Sequence, residues 1–164
     1  MENKLGVLFV CTANICRSPT AEAVFRHKAS KAGLIDRLLV DSAGTHDYQI
    51  GNSPDPRAQL VASKRGYLMS DLRARQVTRA DLERFDYILA MDMQNMSALH
   101  RLGEPDLWQK PKLLMSYSQL YKAKEIADPY SAREDSFELA LDMIESSTSG
   151  LLMAIRTKLE QAEH

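Results

Sequence analysis

Three short runs of apolar residues along the chain have the length and composition of buried β-strands. They lie at Leu5–Val10, Leu38–Val40 and Asp86–Met91, and a fourth strand is predicted at Lys112–Met115. The runs are nearly continuous rather than alternating, which is typical of strands covered on both faces. The pattern therefore predicts a four-stranded sheet inside the protein.

Between and after these strands, apolar positions recur at the spacing of amphipathic helices. Ser18 is predicted to cap the first helix, with Pro19 at its first position, and Gly66 marks the end of the second. The predicted helices cover Ser18–Ala32, Arg57–Arg65, Asp92–His100 and Glu134–Gln161. A loop rich in Asp, Asn, Gly and Pro, residues 46–56, precedes the second helix.

The alternation of strands and helices defines the expected fold class, which is α/β. We expect residues 1–164 to form a single domain, with a parallel sheet and helices on both faces. Ligands of such sheets bind at the carboxyl ends of the strands. The loop that follows the first strand, residues 11–17, lies at such an end.

Composition and charge narrow the class of protein without identifying it. The 164 residues are 45% apolar and 26% charged, with a net charge of −1. This balance gives no indication of a nucleic-acid or membrane surface, and no apolar run is long enough to cross a bilayer. No signal peptide is expected, so the predicted location is the cytoplasm, where thiols stay reduced.

Both cysteines of the chain, Cys11 and Cys16, lie in the loop after the first strand, and Arg17 and Ser18 follow them. If the five residues between Cys11 and Arg17 curl around a centre, their N–H groups form a nest that binds an anion. The start of the following helix adds further N–H groups and the positive end of its dipole. Arg17 would close the ring with a planar fork that matches two phosphate oxygens.

Such surroundings favour the thiolate of Cys11 over the thiol, which makes this side chain a candidate nucleophile. Attack on a bound phosphate would give a thiophosphate that water then hydrolyses. Ser18 can donate a hydrogen bond to the sulfur and help it leave. On the residues alone, Cys11 is also acceptable as a small core residue and Arg17 as a solvated side chain.

The sequence VCTANICRSP, residues 10–19, resembles the signature of the low-molecular-weight protein tyrosine phosphatases. The triplet DPY, residues 128–130, matches the segment in which this family keeps its general acid. Four further segments match in the right order, namely DSAG (41–44), SPDPR (53–57), RQ (75–76) and FDYIL (85–89). The resemblance extends over essentially the whole chain.

This resemblance implies three catalytic roles. Cys11 is the nucleophile, Arg17 holds the phosphate and stabilises the transition state, and Asp128 is the general acid and then the base. The loop residues expected to bind phosphate or substrate are Thr12, Ala13, Asn14, Ile15, Cys16 and Ser18. No cofactor and no metal is expected, since the two cysteines lack a second pair and the four histidines form no ligand pattern.

The family also implies supporting roles around the loop. Asn14 is expected in the left-handed backbone conformation, which asparagine tolerates, and Ser42 is expected to hold Asn14 and Ser18 by hydrogen bonds. Tyr48 and Tyr130 would form two aromatic walls around a phosphotyrosine ring. Cys16 is either a redox partner that protects Cys11 through a reversible disulfide or a buried neighbour with no such role.

Three positions depart from the family pattern. Ala13 replaces the usual glycine, and we expect its φ to be negative. Leu72 replaces a histidine common among relatives, so a supporting hydrogen bond, for example to Glu22, is missing. Ser131 replaces the aromatic residue or glycine that often follows Tyr130, which puts regulation by phosphorylation there in doubt.

The expected substrates are tyrosine-phosphorylated proteins, with a bacterial tyrosine kinase as a candidate partner and a monomer or weak dimer as the expected state. One rival interpretation is a phosphoarginine phosphatase, although relatives with that activity tend to carry threonine where this chain has Ile15. Another is an arsenate reductase of the same fold, which the lack of any cysteine after Cys16 disfavours. A third is a phosphopeptide-binding module without turnover, which the presence of both Cys11 and Asp128 disfavours.

Overall fold

The computed structural model describes residues 3–130 and 134–163. The strands are β1 (Leu5–Cys11), β2 (Leu38–Gly44), β3 (Tyr87–Ala90) and β4 (Pro111–Leu113). The helices are α1 (Arg17–Lys31), α2 (Pro56–Lys64), α3 (Arg79–Arg84), α4 (Met93–Leu102) and α5 (Glu134–Ala162). Short 3₁₀ turns cover Ile35–Arg37, Pro105–Leu107 and Leu114–Tyr117. Ser131, one of the three departures, lies outside the described residues.

The four strands form one parallel sheet in the order β2-β1-β3-β4. Side chains of β1 alternate between two separate cores: Val7 and Phe9 lie in one, and Leu8 and Val10 in the other. The first core contains the apolar residues of α1 and α5, and the second contains those of α3 and α4. The prediction of a four-stranded parallel sheet with helices on both faces is confirmed.

Two elements depart from the prediction, apart from shifts of one to a few residues at the ends of other strands and helices. β4 ends at Leu113, and the next four residues form a 3₁₀ turn instead of continuing the strand. α3 was not predicted because it has only six residues, although a capping box between Thr78 and Asp81 starts it. No helix in the described part of the chain is long and apolar enough to span a membrane.

The prediction that Ser18 caps the first helix is wrong. α1 begins one residue earlier, at Arg17, and Cys16 occupies the N-cap position with no side-chain hydrogen bond. The Ser18 hydroxyl is therefore free of the capping role, and it points instead to the sulfur of Cys11, 3.0 Å away.

Candidate active site

The loop between β1 and α1, which we call the phosphate loop (residues 11–17), curls at Asn14. Asn14 has a φ of 60°, and it is the one non-glycine residue in the described part of the chain with a positive φ. Asparagine tolerates this conformation better than most residues. Ala13 does not share it, as expected, so alanine is unstrained at that position.

The end of β2 holds the phosphate loop from outside. Thr45 N–H donates to the carbonyl of Cys11, and His46 N–H donates to that of Thr12, both at 2.9 Å. Gly44 lies so close to the loop that a Cβ there would be 2.7 Å from the Thr12 carbonyl oxygen. Only glycine allows this approach of two backbone segments.

A buried side-chain network fixes the curl of the phosphate loop. Asn14 Nδ2 donates to the hydroxyls of Ser18 (2.7 Å) and Ser42 (3.0 Å). Asn14 Oδ1 accepts from the Arg75 N–H at 3.0 Å. Ser42 thus contacts Asn14 as expected, but it reaches Ser18 only through the Asn14 amide.

Below this network lies Glu22, which is 2% exposed. Its Oε1 accepts from the Ser42 hydroxyl at 2.7 Å, and its Oε2 from Arg26 Nε at 2.9 Å. Burial raises the pKa of Glu22, although Ser42 and Arg26 oppose the shift. Leu72 is partly buried against the core, and the carboxylate of Glu22 draws its hydrogen bonds from these two residues instead.

Both loop cysteines are reduced and buried. The sulfur of Cys11 lies 3.0 Å from the Ser18 hydroxyl. Because Asn14 donates to that oxygen, the hydroxyl hydrogen is left for Cys11 Sγ or for the Ala43 carbonyl at 3.3 Å. Burial is the main cause that raises the pKa of Cys16 well above its usual range, so Cys16 is held as a neutral thiol.

Arg17 is 2% exposed and is tied to the protein along one side. Its Nη1 donates to Asp92 Oδ2 at 2.7 Å and to the Ile126 carbonyl at 2.8 Å. Its Nε is buried and meets no hydrogen-bond partner among the described residues. Burial alone would lower the pKa of Arg17, but the neighbouring Cys11, Asp92 and Asp128 outweigh it and raise that pKa.

Asp92 was not among the predicted site residues, although its side chain accepts a hydrogen bond from Arg17 and holds that guanidinium in place. Asp92 is the N-cap of α4, where its Oδ1 accepts from the Asn95 N–H at 2.8 Å and leaves Oδ2 for Arg17. Asn95 Nδ2 in turn donates to Thr12 Oγ1 at 3.2 Å. An acidic residue directly after a buried strand, at the carboxyl edge of the sheet, was the available signal.

Asp128 lies across the pocket from the phosphate loop. Its side chain is 47% exposed, and Oδ2 is 3.6 Å from Arg17 Nη2. Its Oδ1 accepts from the Tyr130 N–H at 3.1 Å. A half-exposed carboxyl group thus lies beside the guanidinium of Arg17.

A cavity of about 280 Å³ opens over Cys11. Its walls combine loop residues with aromatic and polar side chains, namely Cys11, Thr12, Ala13, Ile15, Cys16, Tyr48, Gln49, Asp128 and Tyr130. Tyr48 stacks on the ring of His46, with the centroids 4.9 Å apart. Tyr48 and Tyr130 are 69% and 49% exposed, and both line this cavity.

Most of the predicted site residues line one pocket, namely Cys11, Thr12, Ala13, Ile15, Cys16, Tyr48, Asp128 and Tyr130. Asn14, Ser18 and Ser42 are buried and do not line it, and Arg17 approaches it through Nη2, 3.6 Å from Asp128 Oδ2. Within residues 3–130 and 134–163, no group of three or more His, Cys, Asp or Glu side chains is arranged to hold a metal ion. A thiol, the partnerless Nε of Arg17 and the Asp128 carboxyl group, brought to one site, suit transfer of a phosphoryl group to sulfur.

Comparison with known proteins also identifies an enzyme that acts on phosphate groups. Residues 6–161 match the family model of the low molecular weight phosphotyrosine protein phosphatases. A low molecular weight protein-tyrosine-phosphatase of Streptomyces coelicolor is 42% identical over 158 residues, covering 94% of this chain and 95% of that protein. The chain belongs to this family.

Solved structures agree at the level of the whole fold. A protein tyrosine phosphatase from Entamoeba histolytica, crystallised with Hepes in its active site, superposes with a TM-score of 0.90. It is 35% identical, and the match covers 98% of this chain and 100% of that one. YfkJ from Bacillus subtilis also gives a TM-score of 0.90, at 36% identity and with 95% and 97% covered.

Proposed function

We propose that this enzyme hydrolyses phosphotyrosine in proteins through a phosphorylated Cys11. The observation that carries the proposal is the arrangement around the sulfur. Cys11 and Asp128 line the same cavity, Asp128 Oδ2 is 3.6 Å from Arg17 Nη2, and Nε of Arg17 has no hydrogen-bond partner among the described residues.

In the first step, Cys11 Sγ attacks phosphorus in line as the bond to the tyrosine oxygen breaks. Nε and Nη2 of Arg17, together with the loop N–H groups, stabilise the equatorial oxygens of the transition state. Asp128 gives its proton to the departing oxygen, because a phenolate is a poor leaving group.

In the second step, water attacks the phosphorus of cysteinyl phosphate. Asp128, now ionised, takes a proton from that water, and the sulfur leaves as thiolate. The hydrogen bond from Ser18 to Cys11 Sγ stabilises the charge that returns to the sulfur. Inorganic phosphate is released, and no metal or other cofactor takes part.

The aromatic side chains that line the cavity support an aryl substrate. Tyr48 and Tyr130 line its mouth and leave a slot that a phosphotyrosine ring would fill. A phosphoserine side chain is too short to bring its phosphorus to Cys11. Ile15, which also lines the cavity, favours phosphotyrosine over phosphoarginine.

We propose tyrosine-phosphorylated proteins as the substrates, a bacterial tyrosine kinase as the enzyme opposed, and the cytoplasm as the location. A monomer or weak dimer remains the expected state, with no nucleic-acid partner. A reversible disulfide between Cys11 and Cys16 remains a second prediction for the loop. The two free cysteines support the cytoplasmic location, and the net charge of −1 gives no indication of a nucleic-acid partner.

The test is hydrolysis of para-nitrophenyl phosphate by the wild type and by Cys11→Ser. We expect Cys11→Ser to lose turnover, because serine is a far weaker nucleophile, and still to bind inorganic phosphate through the loop amides. Cys16→Ser is the matched control and should retain measurable turnover, since the backbone amides stay in place. A chelator should change nothing. Normal turnover by Cys11→Ser would overturn the assignment.

A further inference from the structure

Two residues outside the proposed mechanism, Asp55 and Arg57, connect the phosphate loop to the segment that carries Asp128. Asp55 N–H donates to the carbonyl of Ile15 at 2.8 Å, which ties the start of α2 to the phosphate loop. Asp55 is also the N-cap of α2, because its Oδ1 accepts from the Arg57 N–H at 2.8 Å.

The side chain of Arg57 is oriented by this same carboxylate. Asp55 Oδ1 accepts from Arg57 Nε at 3.1 Å, and Oδ2 accepts from Nη2 at 2.8 Å. Paired hydrogen bonds of this kind fix the plane of a guanidinium. They also lower the pKa of Asp55, so the carboxylate stays ionised.

The guanidinium of Arg57 then reaches the acid loop, the name we give to residues 128–130. Arg57 Nη2 donates to the Tyr130 carbonyl at 2.7 Å. Its carbon Cζ lies 5.6 Å from the ring centroid of Tyr130 and 4.8 Å from that of Phe137, in the first turns of α5. Such contacts between a cation and an aromatic face are attractive.

The acid loop has an independent anchor on its other side. Ile126 N–H donates to the Met91 carbonyl at 2.9 Å, and the Ile126 carbonyl accepts from Arg17. Beyond Asp128, the hydrogen bond from Arg57 holds Tyr130, and the Tyr130 N–H donates to Asp128 Oδ1. Movement of Tyr130 would therefore turn the half-exposed carboxyl group of Asp128.

From this arrangement we infer that Arg57 is a positioning residue for the general acid: oriented by Asp55, it holds Tyr130 so that the Asp128 carboxyl group faces the leaving oxygen. The inference rests on the proposed function of Asp128. Arg57 does not line the cavity over Cys11, and its hydrogen bonds go to Asp55 and Tyr130. Its loss should therefore weaken proton transfer and leave phosphate binding unchanged.

The test compares two substrates that differ in their need for the acid. Phenol needs a proton to leave, whereas para-nitrophenolate leaves readily without one, and kcat/KM covers the steps up to cysteinyl phosphate. For Arg57→Gln we expect kcat/KM to fall by about tenfold for phenyl phosphate and by about twofold or less for para-nitrophenyl phosphate, a fraction of the full effect of a general acid. Competitive inhibition by inorganic phosphate should not change.

Two further variants define the result. Arg57→Lys can still donate to the Tyr130 carbonyl and should recover part of the loss on phenyl phosphate. Arg37→Gln is the matched control: its side chain is 38% exposed, against 39% for Arg57, and it pairs with Glu163 at 2.6 Å at the amino end of β2. This control should keep the wild-type ratio between the two substrates.

If Arg57→Gln does not fold, Asp55→Asn replaces it, since asparagine caps helices as well as aspartate does. Like Arg57→Gln, Asp55→Asn should lower the ratio of kcat/KM for phenyl phosphate to kcat/KM for para-nitrophenyl phosphate. An equal loss on both substrates, or weaker inhibition by phosphate, would place Arg57 in phosphate binding and overturn the inference. An unchanged ratio would overturn it as well. Either outcome leaves the phosphatase assignment intact. A wild type without turnover would instead overturn both that assignment and the inferred role of Arg57.

Discussion

The phosphate loop and the acid loop supply the two halves of the site, and they are built in opposite ways. In the phosphate loop, Asn14, Arg17 and Ser18 are at most 2% exposed, and hydrogen bonds fix the side chain of each. In the acid loop, Asp128 and Tyr130 are about half exposed. The acid loop takes its position from two arginines far away in the sequence, Arg17 and Arg57.

This difference separates binding from proton transfer. Hydrogen bonds already fix Asn14 and Arg17 of the phosphate loop, so phosphate binding should cost little rearrangement. The acid depends on a few contacts between distant segments at the surface. Substitutions around the acid loop should therefore change turnover of substrates with poor leaving groups while phosphate binding stays constant.

The largest expected effect is that of Asp128→Ala. Loss of the general acid should lower kcat/KM for phenyl phosphate by about 10²-fold or more, and much less for para-nitrophenyl phosphate. Inhibition by inorganic phosphate should stay near the wild-type value, because Arg17 and the loop amides are untouched. Equal losses on the two substrates would show that Asp128 acts through the phosphate loop, and the distinction between the two halves would fail.

Asp92→Asn addresses the phosphate loop from behind. Asparagine still caps α4, but Arg17 loses the negative charge that balances its buried guanidinium. Breaking a buried ion pair in this way should lower the free energy of unfolding by about 3 kcal/mol. Urea unfolding in the absence of phosphate measures the change.

The control for Asp92→Asn is Glu104→Gln, which removes an exposed ion pair between Glu104 and Arg79. The side chains of Arg79 and Glu104 are 57% and 59% exposed. That change should cost about 0.5 kcal/mol or less. Equal losses in the two variants would mean that the burial of Arg17 has no energetic weight.

Gly44→Ala tests the contact between β2 and the phosphate loop. A Cβ placed 2.7 Å from the Thr12 carbonyl oxygen must displace backbone. We expect a loss of about 2 kcal/mol in the free energy of unfolding and weaker inhibition by inorganic phosphate.

Gly103→Ala is the control for Gly44→Ala, because its added Cβ would approach its nearest atom equally closely, but that atom belongs to a side chain instead of the backbone. There the Cβ would lie 2.7 Å from the end of the flexible Leu82 side chain. It should cost less stability and leave phosphate inhibition unchanged. If phosphate inhibition is normal in Gly44→Ala too, the strand does not hold the loop in shape.

The same contrast explains what could be predicted from the sequence. β1 and β3 are buried on both faces, so their apolar runs were recognisable. Cys11 and Arg17 were recognisable as well, because the loop between a strand and a helix is a local pattern. The start of α1 was predicted one residue late because Ser18, a good capping residue, is used on the Cys11 sulfur instead.

The long-range parts of the site were not predictable in this way. Asp128 was identified only through the family resemblance, since a lone Asp-Pro pair indicates a turn. Asp92 was assigned to a helix start, which is correct, but its second role depends on Arg17, distant in sequence. The link from Arg57 to Tyr130 joins residues that no local pattern connects.

The smallest expected effect is on the pH dependence of the free energy of unfolding. Glu22, below the phosphate loop, and Asp55, beside the acid loop, change it in opposite directions. Burial raises the pKa of Glu22 above its ordinary 4.5, so the folded state binds this proton more tightly than the unfolded state does. Glu22 therefore contributes stability below pH 4.5 that is lost as the pH rises through the folded pKa. Arg57 lowers the pKa of Asp55 below 3.8, so Asp55 contributes stability above that pH that is lost on acidification.

Urea unfolding across the acidic range should separate the two groups. In the wild type, ionisation of Glu22 costs stability as the pH rises, and Glu22→Gln abolishes this cost. The free energy of unfolding of Glu22→Gln should therefore rise more than that of the wild type between about pH 4 and about pH 7. In the wild type, ionisation of Asp55 adds stability as the pH rises, and Asp55→Asn abolishes this contribution. The free energy of unfolding of Asp55→Asn should therefore rise less than that of the wild type between about pH 3 and about pH 5. A shift of both variants in the same direction would contradict the prediction. At Glu22 burial outweighs the pairing with Arg26, whereas at Asp55 the pairing with Arg57 outweighs burial, and the two cases require opposite signs.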